Sequence, residues 1–68
     1  MQFAVELELE ADGRWIGEVP ALSGVLAYGQ NREEALARVE ALALRVLAER
    51  LEHGEQAADR FSVTFQAA

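Results

Sequence analysis

Cysteine and lysine are absent from this chain, and proline, histidine, tryptophan and tyrosine occur once each. Without cysteine there can be no disulfide and no thiolate metal site, which suits a reducing compartment. His53 stands alone, too few imidazoles for a zinc site. No apolar run approaches the ~18 residues of a membrane span. Met1 opens a strand-like pattern rather than a basic segment leading into an apolar one, so no signal peptide is expected. These absences predict a soluble, cytoplasmic protein. Positive charge is also scarce: 6 Lys+Arg, all of them arginine, against 12 Asp+Glu give a net charge of −6. Binding to nucleic-acid phosphates needs clustered cations, so no direct nucleic-acid contact is expected. An acidic surface favours basic partners instead. The 68 residues form one domain, 1–68. A chain of this size buries only ~60% of its unfolded surface, so partners would add to a small core.

What is present is mostly alternation. In Met1–Glu10 (MQFAVELELE), Phe3, Val5, Leu7 and Leu9 share one face, and Ala4, Glu6, Glu8 and Glu10 the other. After "ADGR", Arg14–Val19 alternates again, which makes a hairpin. A two-residue Asp12-Gly13 loop would put Trp15 and Val19 on the acidic face. A three-residue loop, Ala11-Asp12-Gly13 with Gly13 left-handed, pairs Glu10 with Arg14, Leu9 with Trp15 and Val5 with Val19. The second register gathers the apolar residues and gives a Glu10–Arg14 ion pair, so it is the one expected.

Pro20 and a tight loop over Ala21–Gly24 lead to a short strand, Val25–Gly29. Asn31 is a favoured N-cap with Glu34 three residues on, the spacing of a capping box, and Glu33 and Glu34 suit the helix dipole. The helix runs to about His53, whose ring would complement the negative end of the dipole, and Gly54 is the stop. Glu55–Asp59 is polar loop, and Arg60–Gln66 is a last strand with Phe61, Val63 and Phe65 inward. The fold expected is α+β: a small antiparallel sheet with one long helix on one face, in the order βββαβ.

Together these pieces resemble the HicB-like antitoxin family. The residues that carry the resemblance are Asp12-Gly13, Trp15, Val19-Pro20, Leu22, Gly24, Gly29 and Glu33-Glu34-Ala35-Leu36, and the likeness spans about residues 3 to 54. Within that pattern the chain has Ala21, Ser23, Val25 and Asn31 where the family more often has an acidic residue, proline, cysteine and threonine. The resemblance implies a cytoplasmic toxin–antitoxin protein. Its domain would bind and mask a small, basic, mRNA-cleaving toxin of the HicA type. The DNA-binding segment that usually follows the domain has no counterpart in these residues, so a free-standing HicB-like domain is expected.

Three readings of the Glu6, Glu8, Glu10 and Glu18 face remain open: a solvated strand face, a docking surface for the basic partner, and a carboxylate cluster for a divalent metal. The metal reading, with a nuclease activity, ranks last, because neither a histidine base nor a cationic clamp accompanies the carboxylates. No nucleophile has a base beside it: Ser23 sits in "LSG", and Ser62 and Thr64 alternate outward. No phosphate loop is present. No catalytic residue, metal or cofactor is therefore expected.

The helix offers two stripes. Leu36, Val39, Leu42, Ala43, Val46 and Leu47 should cover the sheet. Ala37, Ala41, Leu44, Ala48 and Leu51 form a second stripe, read as roughly a quarter-turn away, with Arg38 on the polar arc. It is either alanine-rich helix surface or, the preferred reading, a self-association face of at least a dimer. A homo-oligomeric binding module without a toxin is thus the alternative function.

Overall fold

The computed structural model describes residues 1–55 and 62–67. Among these residues four strands and one helix follow in the expected order: β1 (Gln2–Leu9), β2 (Trp15–Glu18), β3 (Leu26–Gly29), α1 (Arg32–Glu52) and β4 (Thr64–Ala67). The fold is α+β, with the sheet in the order β3-β2-β1-β4. The expected Phe61 and Arg60 end of the last strand lies outside the described residues.

The hairpin takes the longer loop. Leu9 faces Trp15 and Glu6 faces Glu18, Gly13 has φ +92°, and the Glu10 N–H donates to the Arg14 carbonyl at 2.7 Å. The expected ion pair is replaced: the Arg14 Nε reaches Asp12 Oδ2 at 2.8 Å, and its guanidinium lies 4.4 Å from the centre of the Tyr28 ring. Asp12 already accepts the Arg14 backbone N–H at 3.1 Å, which holds its second oxygen where the guanidinium reaches it.

The sheet is mixed rather than wholly antiparallel, because β4 runs parallel to β1, with Phe3 opposite Phe65. Chain parity dictates this. Two hairpin reversals set β3 along β1, and one helix crossing then returns the chain in that same direction. The two rings stand 6.0 Å apart between centroids.

The 19–25 connection is two consecutive turns, closed by Leu22 N–H to Val19 C=O and Val25 N–H to Leu22 C=O. Pro20 holds the first corner of one. Gly24, at φ +78°, sits where a type II turn needs a left-handed residue. Between them Leu22 drops into the core with 2% of its surface exposed. Gly29 has a different reason for lacking a side chain: a Cβ there would lie 2.3 Å from the Ala35 nitrogen. The helix starts that close to the end of β3.

Both caps form. Asn31 accepts from the Glu34 N–H at 2.8 Å, but the Glu34 carboxylate reaches past Asn31 to the Gln30 N–H at 3.0 Å. At the other end His53 is the C-cap and Gly54 has φ +73°. Gly54 N–H bonds Leu51 C=O and Glu55 N–H bonds Arg50 C=O, the paired bonds of a Schellman closure. Between the caps Ala35, Val39, Ala43 and Leu47 are fully buried. They meet Phe3, Val5, Val19, Leu22 and Val25 in one core, with Leu36, Leu42, Val46 and Phe65 half-buried around it. The helix packs chiefly on β3 and β2.

Candidate protein-docking site

Among the described residues, no helix covers the outer face of the sheet. Alternation along β1 and β2 brings Glu6, Glu8 and Glu18 to that face, all exposed, with Glu6 and Glu18 directly opposite. Glu10 lies half-buried where the strand enters the turn. Like charges across a ladder disfavour the pair.

The face is less uniformly acidic than its glutamates imply. Ile16 lies between Glu8 and Tyr28, and Leu26 lies opposite Glu18. Leu26 is 41% and Tyr28 38% exposed, so an apolar patch adjoins the acids on the β3 side. A usable sign of it lay in the alternation of β2, since Ile16 shares the parity of Glu18. The residues of β3 could be assigned to a face only once their pairing with β2 was known.

Arg14 covers one end of the patch by stacking on Tyr28. Its neighbour Asp12 holds its proton less tightly than an ordinary aspartate. The cause is first the Arg14 backbone N–H donated to Oδ1, and then the Arg14 guanidinium on Oδ2. At the other border Arg38 bridges Glu34 at 3.3 Å and donates to the Tyr28 carbonyl at 3.1 Å. Arg38 therefore joins helix to sheet and is not a free polar-arc residue.

Among the described residues, no three acidic or histidine side chains stand close enough together to hold a metal ion. The acids are spread along strands on an open surface. Among the described residues every buried side chain is apolar.

The second expected site lies farther round the helix than a quarter-turn. At about 100° per residue, the centre of the Ala37–Leu51 stripe is about 140° from the buried line. Ala37, Ala41, Leu44 and Ala48 are exposed, Leu44 by 48%, and Leu51 is half-buried. The structure thus separates the two candidate surfaces, the acidic one on the outer sheet face and the alanine–leucine one on the far side of the helix.

No helix is long and apolar enough to cross a membrane among the described residues. No protein-family model, curated protein or solved structure matches this chain.

Proposed function

We propose that this chain is a non-catalytic binding domain of the antitoxin type, which neutralises a small, basic, mRNA-cleaving toxin in the cytoplasm by covering it. One observation carries the reading. The uncovered outer face sets exposed Glu6, Glu8 and Glu18 beside the apolar Ile16, Leu26 and Tyr28. An apolar centre with a charged margin is how protein interfaces are built, and charge of one sign steers a partner of the other. The βββαβ order and the turn residues Pro20, Leu22 and Gly24 agree with the HicB-like resemblance.

The test is co-expression with the product of an adjacent small basic reading frame. If that product arrests growth, this chain is expected to restore it and to co-purify with the toxin. Continued arrest with this chain present in soluble excess would contradict the reading. A homo-oligomeric binding module is the second reading, favoured by Leu44, which is 48% exposed in a stripe of alanines.

A further inference from the structure

We infer that the outer edge of β3 pairs with the same edge of a second copy of this chain, joining two sheets into one about a twofold axis at Ala27. This pairing is independent of the antitoxin reading and uses a different surface from the helix stripe. Among the described residues β3 has β2 on one side and no strand on the other. The strand that leads to Ala67 lies at the opposite edge, beside β1, so any continuation of it follows β1 and not β3.

The ladder sets which backbone groups face outward. The Val19 N–H donates to the Val25 carbonyl at 3.0 Å, so bonding pairs alternate through Gly17–Ala27 and Trp15–Gly29. The N–H and C=O groups of Leu26 and Tyr28 therefore point away from β2. The Arg38 guanidinium meets the Tyr28 carbonyl on that side at 3.1 Å. A carbonyl has a second lone pair, so this contact leaves room for an incoming N–H. Leu26–Gly29 carries neither charge nor proline, the residues that commonly guard an exposed edge.

The edge is self-complementary. Two copies related by a twofold axis at Ala27 run antiparallel, with each Leu26 opposite the second copy's Tyr28. Both members of each pair offer an N–H and a C=O, so each pair closes with two backbone hydrogen bonds. On the inner face only the small Ala27 of each copy meets at the axis. On the outer face one row reads Glu6, Glu18 and Leu26, then Tyr28, Ile16 and Glu8 of the second copy. Its centre is apolar and its ends are acidic, the layout of a protein interface. Leu26 and Tyr28, 41% and 38% exposed in the single chain, cover each other there. Charge permits the contact. The two Glu18 residues stand three strand spacings apart, about 14 Å, beyond the ~10 Å screening length at 0.1 M salt. A basic segment is a poorer occupant, because Arg38 stands at this edge and repels it.

The test uses the full chain, which has no cysteine of its own. Ala27→Cys puts one thiol on each side of the axis, where opposed Cα atoms about 4.5 Å apart lie within disulfide reach. Mild oxidation should give a disulfide-linked dimer. Added to that variant, Leu26→Pro removes one outward N–H from each copy and leaves the β2 ladder intact. It should slow the cross-linking, and weaken dimerisation in sedimentation, by about tenfold to a hundredfold. Should it fail to fold, hydrogen exchange in the parent carries the test, since the Leu26 and Tyr28 amides should slow as the protein is concentrated. No cross-linking through Ala27→Cys, cross-linking that Leu26→Pro leaves unchanged, or protection of the two amides only when toxin is added would overturn the inference. The readings fail separately. Cross-linking through Ala41→Cys alone returns self-association to the helix stripe and removes the edge. Growth rescue by a chain that stays monomeric removes the edge and keeps the antitoxin. Cross-linking through Ala27→Cys without rescue keeps the edge and removes the antitoxin.

Discussion

The β2–β3 half of the sheet lies under the helix, whereas the β1–β4 half reaches out beside it, and the two are held by different means. On the β2–β3 side the backbones themselves touch. Gly17 leaves room for Val39, Gly29 for the amide of Ala35, and Arg38 ties the helix to the Tyr28 carbonyl. On the β1–β4 side, half-buried Phe65 rests on Phe3 and Leu9 is mostly exposed. The turn and glycine residues that give the chain its distinctive look serve the first half. The candidate docking face spans β1, β2 and β3 on the outer side of the sheet, opposite the inner side on which Gly17 and Gly29 seat the helix.

The strongest way to break that contrast is Gly29→Ala. The added Cβ meets helix backbone, which cannot rotate aside, so a loss of about 3 kcal/mol or more is expected in chemical unfolding. Gly24→Ala adds an atom in open space and suffers only from its left-handed φ, at about 1–2 kcal/mol. Equal losses for the two would show that the close approach at Gly29 is not the constraint.

A middle-sized effect is expected on the far side of the helix. If the alanine–leucine stripe joins two protomers, Ala41→Glu with Leu44→Glu gives a monomer in sedimentation and lowers the melting temperature. Each leucine fully buried between protomers contributes about 1.5–3 kcal/mol. The control is Arg45→Glu, exposed on the helix, because Arg38 is engaged with Glu34 and Tyr28. An unchanged mass and melting point in the double variant would leave the stripe as helix surface.

The smallest effect is at the hairpin tip. The Asp12 carboxyl titrates below the usual aspartate range in the folded state, so its stabilising contribution is present above that range and is lost as pH falls through the folded value. Following the Asp12 carboxyl by NMR should show that Arg14→Ala restores only part of the depression, because the backbone N–H at position 14 remains. Full restoration would assign the effect to the guanidinium alone.

Much of this architecture was legible in the residues. Asp12-Gly13 and the alternation on either side set the hairpin register, and Asn31 and Gly54 bounded the helix to within a residue. The direction of β4 was missed because alternation says which way side chains face but not which way a strand runs. In the sequence Gly29 merely closes a short strand, and only the distance to Ala35 shows that it admits the helix. The acids of the candidate site were readable from β1 and β2. Leu26 and Tyr28 were not, because their face depends on pairing with β2, which no local pattern fixes. The helix stripe was readable in composition but misplaced in angle.

If the acidic face docks a basic toxin, the most direct test is the rate at which such a toxin associates with this chain and with a Glu6→Lys, Glu8→Lys, Glu18→Lys variant, measured across salt concentration. Steering by exposed charge is screened over about 10 Å at 0.1 M salt. The expected result is fast association that falls steeply with salt for the parent, and slower association with a flattened salt dependence for the variant. Identical rates and salt slopes for the two proteins would contradict it.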